Sequence, residues 1–464
     1  MRLLEEFIYS LSRSERKRLR PLQFRGNKRT IFLRLLRSKA RGGSSAVARS
    51  PRGSASAGRL DQVVGEILDA CYRDIVSAGG THLLMYLGNK QLFRHFVRVL
   101  RAQETALRSD PAGLKRFYAD VIVMAQFFLL DSKNGDRVRT HVERCSLEYA
   151  AMLNESESSR LLRTFDLIDE LRRTGSQHYD GTRHAAARIG LEGIYAEARN
   201  SDDPVTAFLA VDRLMLDSSR HSGKPDARHY AREAMELVRS RPKVFSLLAE
   251  PYVMECRLQL EGNDGVSVKE LQRFLTLTCE TLGPSVYQIG RFLPRILREG
   301  DRKWVKQFIE SHFPHDLQLL PREAALTYST LLVIYHIYLG ELDEAQQHLH
   351  RGYIFSSGRK QISANALALR CYDAYLTAMR GDHIASETAL MKHIRFARTN
   401  GYHTGERRAL LFLDTLLKLI RCVDHDPKRA SKIATEYAAQ SGTNLFGFQV
   451  QQFYSRYFPH HNTK

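Results

Sequence analysis

The side chains of this chain with the clearest chemical potential are basic ones gathered near the N-terminus. Between Met1 and Arg59 there are 16 Lys and Arg residues against 3 Asp and Glu, whereas the rest of the chain has 54 against 48. Basic side chains on short helices can neutralise phosphates, which makes this segment a candidate anion or nucleic-acid contact. The candidate residues are Arg16, Lys17, Arg20, Lys28, Arg29, Arg34, Arg37, Lys39 and Arg41.

Three interpretations of this basic segment stay open. Residues 1–41 could contact nucleic acid, they could contact an acidic protein or a membrane surface, or they could form a solvated face without a specific anionic partner. The third predicted helix lacks the Asn, Gln and Ser set often used on base edges, and this weighs against a base-reading role.

Histidine pairs are the next groups that could do chemistry, because imidazole is a common metal ligand. His348 and His350 are two residues apart, so they point in different directions on a helix. The chain has no H-E-x-x-H, C-x-x-C or H-x-x-x-H spacing that would bring ligands together. The sequence therefore predicts no metal site and no cofactor.

Signatures of catalysis are missing as well. The glycines from Gly79 to Gly88 lack the G-x-x-x-x-G-K-[ST] spacing of a phosphate loop, and no G-x-S-x-G nucleophile elbow occurs. We therefore expect no catalytic residues and a protein that is not an enzyme.

The cysteines and the hydropathy of the chain indicate the cellular compartment of the protein. The six cysteines are far apart in apolar stretches, as buried free thiols in a reducing compartment would be. The longest uncharged stretch, Ala324 to Gly340, is too short and too polar to span a membrane, and no secretory signal is present. These patterns predict a cytoplasmic protein without a transmembrane segment.

The elements that must position any site are helices throughout. Good helix formers fill the chain between 13 prolines, and no stretch alternates with period two for long enough to form a sheet. Ser12 and Glu15 have the spacing of a capping box at the start of a second helix. We divide the chain into a basic helical segment 1–40, a flexible Arg/Ser/Gly linker 41–59, helical hairpins with weak repeats 60–225, and clearer repeats with a C-terminal capping helix 226–464.

A repeat of about 40 residues marks the C-terminal half. Short turns recur at Gly262-Asn263, Gly300-Asp301, Gly340-Glu341 and Gly381-Asp382, and Asp424 to Pro427 follows at a similar distance. Apolar residues lie seven and three positions before Gly300, Gly340 and Gly381 and nine after them, as two antiparallel helices with a shared seam require. This periodicity predicts stacked helical hairpins.

Two segments resemble known helical-repeat proteins. Tyr338 to Ala345 resembles the turn of a tetratricopeptide repeat, in which Gly starts the turn and a small Ala allows close helix approach. Leu4 to Arg18 is similar to the start of an uncharacterised family of bacterial helical-repeat proteins. The resemblance implies an all-α, right-handed solenoid of antiparallel hairpins, and it implies no activity.

The expected function follows from this architecture. A helical solenoid offers a groove for partners more readily than an enclosed pocket for chemistry. We expect a scaffold or adaptor that binds a protein or peptide partner on its repeats. The alternative is a nucleic-acid-binding regulator that uses the basic N-terminal helices for contact and the repeats as its partner-binding module.

Overall fold

The structure is a computed structural model of the whole chain. It describes residues 2–19, 22, 24–37, 54–76, 80–90, 92–128, 135–176, 181–220, 224–245, 252–254, 256–257, 260, 265–281, 283, 286–299, 301–314, 316–320, 322–356, 364–399, 404–423, 425–441 and 445–459.

Twenty-two α-helices lie within the described residues, which contain no β-strand. In chain order the helices are α1 (Arg2–Ser10), α2 (Arg13–Leu19), α3 (Gly26–Arg37), α4 (Ser54–Ile75), α5 (Gly80–Asn89), α6 (Phe93–Ala106), α7 (Pro111–Phe128), α8 (Gly135–Ala151), α9 (Glu155–Ser176), α10 (Gly181–Asn200), α11 (Pro204–Arg220), α12 (Lys224–Ser240), α13 (Val268–Thr281), α14 (Val286–Arg298), α15 (Arg302–His312), α16 (Arg322–Leu339), α17 (Leu342–Ser356), α18 (Ala364–Met379), α19 (His383–Thr399), α20 (Thr404–Ile420), α21 (Pro427–Ser441) and α22 (Leu445–Tyr457). The all-α prediction is confirmed.

One boundary differs from the sequence prediction. Helix α4 begins at Ser54, inside the stretch predicted as the linker 41–59, and residues 38–53 lie outside the described part. Further along, the chain breaks between α5 and α6 after Asn89. The break frees Lys90 from a helical position, and its ammonium group points to Ser10 and Glu15.

The chain divides into two compact units. Unit 1 comprises residues 1–289 and 308–319, and unit 2 comprises residues 290–307 and 320–464. In unit 1, helices adjacent in sequence pack together from α7 to α12, and next-but-one helices such as α9 and α11 also touch. Unit 2 repeats this pattern, with α16 against α17 and α18, and α18 against α19 and α20. Such packing is consistent with a helical solenoid.

The N-terminal helices belong to the core of unit 1. Helix α1 packs on α3, α4 and α6, and α2 packs on α4. The Phe7 ring meets the edge of Tyr72 with centroids 5.0 Å apart, and the Tyr72 hydroxyl forms a 2.5 Å hydrogen bond with Nδ1 of the fully buried His95. Burial, with smaller effects of Arg98 and Arg94, lowers the pKa of His95 to about 3. The imidazole is therefore neutral at physiological pH.

The helix-ending turns of both units share one backbone design. After α16, Gly340 is left-handed with φ 78°, the Gly340 amide donates to Ile337, and the Glu341 amide donates to His336 at 2.9 Å. After α10, Asp202 takes the left-handed position with φ 56°, and the next amide donates to Ala198 at 2.9 Å. Both turns are Schellman-type helix ends, one built on glycine and one on aspartate.

Aspartates then start several of the following helices. The carboxylates of Asp203, Asp301, Asp382 and Asp426 each accept a hydrogen bond from a backbone amide in the first turn of the next helix, at 2.9–3.2 Å. This is the N-cap role for which aspartate is favoured. The predicted turns at 301, 340, 381 and 426 are therefore helix-to-helix turns, whereas Gly262 and Gly300 lie outside the described residues.

Helix α22 packs on α18, α20 and α21 within unit 2. The Tyr457 hydroxyl donates to the carbonyl of Ala378 at 2.9 Å, and the Tyr375 hydroxyl donates to Gln452 at 2.9 Å. Phe453 is fully buried. These contacts fit the predicted role of a C-terminal helix that covers the last repeat. Among the described helices, none is both long and apolar enough to cross a membrane.

Candidate binding clefts

The nine basic residues of the predicted anion contact fall into three groups. Arg16 is buried, and Lys28 forms an ion pair with Glu66. Lys17 and Arg29 are exposed, and the structure gives them no ion-pair partner among the described residues. Arg34 and Arg37 lie on α3, while Arg20, Lys39 and Arg41 lie outside the described part.

The buried centre of this N-terminal region is Glu15. Its carboxylate accepts hydrogen bonds from the Ser12 amide at 2.6 Å, from the Tyr86 hydroxyl at 2.7 Å and from Lys90 Nζ at 2.7 Å. Burial raises the pKa of Glu15, but the Lys90 charge and these hydrogen bonds outweigh it and lower the pKa below its usual value. The capping box predicted from Ser12 and Glu15 is confirmed, and the Glu15 carboxylate also ties α2 to α5. These hydrogen bonds stabilise the packing of α2 against the end of α5.

Nucleophilic and metal-binding groups do not gather into a site in the described residues. All six cysteines are free and buried, as predicted, and burial raises the pKa of Cys71 and Cys145 to about 12. The described residues contain no group of three His, Cys, Asp or Glu residues that could hold a metal ion.

The histidines considered as metal ligands have other surroundings. The His336 and His348 rings stack with centroids 5.1 Å apart, and Nδ1 of His336 lies 2.7 Å from a carboxylate oxygen of Glu341. Burial, together with the nearby His336 and Arg351, lowers the pKa of His348 to about 4. His350 is exposed and lies apart from this pair, as its spacing predicted.

A concave cleft of about 230 Å³ lies in unit 1 between α10, the start of α11 and α12. Each outer helix contributes residues at spacings of three and four, which place them on one helix face. The floor is mainly small or apolar, from Ala198, Pro204, Ala207 and Leu237. The remaining lining residues are Tyr195, Arg199, Asp202, Asp203, Glu233, Glu236, Ser240 and Arg241.

Ion pairs hold the walls of this unit 1 cleft together. Arg199 on α10 pairs with Glu233 on α12, and the Tyr195 hydroxyl donates to the same carboxylate at 2.8 Å. Arg241, which follows α12, pairs with Asp202 in the turn after α10. Both arginine side chains are about half exposed, at 52% and 45%. The cleft is therefore braced by charges that remain accessible from solvent.

The same two helices are joined along their length by further polar pairs. Arg188 pairs with Asp226 at 2.9 Å, and the Tyr230 hydroxyl donates to Glu192 at 2.7 Å. Each of these pairs, like Tyr195 with Glu233, joins residues 38 positions apart. A constant offset requires α10 and α12 to run side by side in the same direction, which gives the cleft two parallel walls.

A second cleft, of about 590 Å³, lies in unit 2 on the exposed face of α17. Arg380, directly after α18, closes one side of it by an ion pair of 2.6 Å with Asp343, in the first turn of α17. The remaining lining residues are Gln346, Gln347, His350 and Arg351. They recur at spacings of three and four, so a single helix face supplies this wall.

The two clefts use one bracing device. In each, an arginine just beyond a helix C-terminus pairs with an aspartate at a helix boundary 39 or 37 residues earlier. Among the cleft residues only His350 was singled out from the sequence, and it was considered there as a metal ligand. Opposite charges recurring at offsets of 37 to 39 residues were the available signal, but charged residues are too frequent in this chain for that signal to stand out alone.

Comparison with known proteins does not assign the chain. No protein-family model matches it, and no curated protein is detectably similar in sequence.

Proposed function

We propose that this protein is a non-enzymatic interaction scaffold that binds segments of a partner protein in clefts along its helical repeats. The repeats would be right-handed hairpins of the tetratricopeptide kind, as the turn at Gly340 and its resemblance suggest. The partner would be a protein or peptide, and no cofactor would be required.

The observation that carries the proposal is the pair of braced clefts. Each has a wall made of successive turns of one helix, and each keeps half-exposed charged side chains around its opening. Concave surfaces with a few oriented polar groups are the usual place for recognition. An extended or helical peptide can follow such a wall, because its side chains can match the spacing of the helix turns.

The surroundings of the reactive groups also support binding over catalysis. Burial raises the pKa of the Cys371 and Cys279 thiols, which keeps them protonated and poorly nucleophilic. His95 and His348 have lowered pKa values and lie within packed helices. The residues that line the two clefts include no cysteine. They include one histidine, His350, in the unit 2 cleft.

We favour a protein partner over nucleic acid for the described surfaces. Of the four basic residues predicted to contact phosphate whose side chains the structure describes, Arg16 is buried and Lys28 is neutralised by Glu66, which leaves Lys17 and Arg29 exposed. Phosphate contacts need exposed, unpaired cations, and their loss on adding salt would show them. Binding of the full chain to duplex DNA and RNA across a salt series therefore tests the alternative directly.

The proposal is tested by site-specific crosslinking in the full-length protein. Ser240 and Gln347, which line the two clefts, would each be replaced by photo-reactive benzoylphenylalanine, and exposed Arg108 would serve as the matched control position. We expect each cleft position to form crosslinks to one defined segment of a partner protein. The control position should form none. Adducts that are absent, or equally abundant at Arg108, would contradict the proposal.

A further inference from the structure

We infer that the two clefts select partner side chains of opposite charge: the unit 1 cleft takes a lysine or arginine side chain of a peptide, and the unit 2 cleft takes an aspartate or glutamate side chain. This inference rests on the proposed function, because it names the chemistry of the partner at the same clefts.

The unit 1 cleft has one carboxylate left over after its ion pairs are formed. Arg199 is neutralised by Glu233, and Arg241 is neutralised by Asp202. Glu236, between these pairs on α12, is exposed and has no ion-pair partner within the described part of the chain.

The other charged residues near Glu236 do not neutralise its carboxylate by an ion pair. Asp203, at the floor, is paired with Arg160 at 3.4 Å, so it adds no free charge. Arg232 and Arg239 lie within one turn on α12 and are exposed, but they do not line the cleft and form no ion pair with Glu236. The cleft therefore presents one unbalanced negative charge.

The unit 2 cleft has the opposite surplus. Its single acidic residue, Asp343, is paired with Arg380 at 2.6 Å. Arg351 is exposed and forms no ion pair with any residue that the structure describes, and the neighbouring amides of Gln346 and Gln347 can donate further hydrogen bonds. A guanidinium beside amide donors fits a carboxylate, which only accepts hydrogen bonds.

The size of the unit 1 cleft points to a side chain as its occupant. The unit 1 cleft, at about 230 Å³, is smaller than the roughly 300–1,000 Å³ typical of small-molecule pockets. Its small and apolar floor, Ala198, Ala207 and Leu237, can cover the methylene stem of a lysine or arginine while the charged end reaches Glu236. Complementary charge at a partly enclosed site gives specificity more than affinity.

The test uses an immobilised positional peptide library in which one position at a time is fixed as Lys, Arg, Gln, Asp or Glu. The full-length protein is compared with the charge reversals Glu236→Lys and Arg351→Glu. Matched controls are Glu197→Lys on α10 and Lys392→Glu on α19, because both residues are exposed and lie outside the clefts. All substituted side chains are at the surface, and circular dichroism confirms that each variant is folded.

We expect Glu236→Lys to lower retention of the Lys- and Arg-fixed peptides by about tenfold and to raise retention of acidic ones at the same position. Arg351→Glu should lower retention of the Asp- and Glu-fixed peptides and raise retention of the Lys- and Arg-fixed ones at the same position. The controls should behave as the unsubstituted protein does.

Three outcomes overturn the inference, and they separate it from the proposed function. Peptides retained without any charge preference, or with preferences that neither reversal changes, sink the charge selection but leave the scaffold proposal intact. No retained peptide, together with no crosslinks from Ser240 or Gln347, sinks both. If Arg351→Glu changes binding to an RNA oligonucleotide or to anionic vesicles but not to peptides, the unit 2 cleft does not recognise an acidic peptide.

Discussion

The turn after α10 in unit 1 and the turn after α16 in unit 2 share one helix-ending hydrogen bond, from Asp203 to Ala198 and from Glu341 to His336, but have different residues at the left-handed position. Asp202 fills it in unit 1 and Gly340 in unit 2. Glycine takes a positive φ without steric cost, whereas aspartate tolerates it and keeps a carboxylate available. Asp202 uses that carboxylate to hold Arg241, so the unit 1 turn braces a cleft as well as ending a helix.

The helices that follow the turn at Asp202 and the turn at Gly381 also differ in how they begin. Asp203 caps α11 in unit 1 and is itself buried in an ion pair with Arg160, with both side chains about 10% exposed or less. Asp382 caps α19 in unit 2 but is exposed. In unit 1 the capping carboxylate is therefore also a member of a buried ion pair, whereas in unit 2 Asp382 is an exposed cap and the ion pair at that turn is made by Arg380 with Asp343.

The largest expected effect comes from removing these two caps. Asp203→Ala should destabilise unit 1 by about 4 kcal/mol, because it deletes a cap and leaves Arg160 buried without its partner. Asp382→Ala should cost about 1 kcal/mol, as an exposed cap does. Hydrogen exchange in increasing urea, followed on peptides from α9 to α12 and from α18 to α19, measures both. Equal losses at the two sites would show that the ion pair adds nothing to the cap.

A pH effect should appear in unit 1 below pH 6.5. The folded pKa of His95 is about 3 and its ordinary value is 6.5, so the unfolded chain binds a proton that the folded chain excludes. The contribution of a neutral His95 is complete above 6.5 and declines as the pH falls toward 3. Stability should be about 2 kcal/mol lower at pH 5 than at pH 8 from this group alone.

Urea titrations at several pH values, compared with His95→Gln, check this expectation. The substitution should reduce the difference in the free energy of unfolding between pH 8 and pH 5, as measured by hydrogen exchange in α4 to α6. His348→Gln is the companion variant in unit 2, where the folded pKa is about 4. An unchanged slope in His95→Gln would mean that other groups control the acid response.

Exchanging the left-handed residues sharpens the turn comparison. Gly340→Ala should cost about 1.5 kcal/mol, because φ is 78° and alanine is strained there whatever the space around it. Asp202→Gly should change stability by no more than about 0.5 kcal/mol, since relief of strain offsets loss of a half-exposed ion pair. Thermal unfolding of the two variants provides the measurement. A larger loss in Asp202→Gly would place the importance of this turn in its carboxylate and not in its backbone.

Glycines inside helices give the smallest predicted effects, with opposite signs. A Cβ on Gly352 in α17 would lie 2.6 Å from Cδ1 of buried Leu369, so Gly352→Ala should cost about 1 kcal/mol despite better helix propensity. A Cβ on Gly193 in α10 meets nothing within 4 Å, so Gly193→Ala should stabilise by about 1 kcal/mol or less. Melting temperatures decide the signs. Destabilisation by Gly193→Ala would contradict the open surroundings of that position.

The residues at the left-handed turn positions also explain why the repeat was easier to recognise in the sequence of unit 2 than in that of unit 1. Gly340 and Gly381 mark the turns of unit 2, so the period near 40 could be recognised there. In unit 1 the corresponding position is Asp202, which is indistinguishable from an ordinary surface aspartate in a sequence. The hairpins around α10 and α11 were therefore predicted only as weak repeats, although the two turns share that helix-ending hydrogen bond.

Local features were easier to predict than long-range ones. The capping box of Ser12 and Glu15 lies within four residues and could be recognised directly. The partners Tyr86 and Lys90 could not, because a buried ion pair across more than seventy residues depends on how helices pack. The clefts escaped prediction for the same reason: their shape depends on pairs such as Arg241 with Asp202, which the fold brings together.

The Glu15 node also affects how the chain folds during synthesis. Tyr86 and Lys90 follow Glu15 by 71 and 75 residues, so at cellular rates of about 5–20 residues per second they are made roughly 4 to 15 s later. Until then the Glu15 carboxylate accepts a hydrogen bond from the nearby Ser12 amide but lacks Lys90, the charged partner that balances it in the folded protein. We therefore expect the packing of α2 against α5 to be completed only after residues 86–90 have been made, so that α2 stays accessible to chaperones and proteases until then.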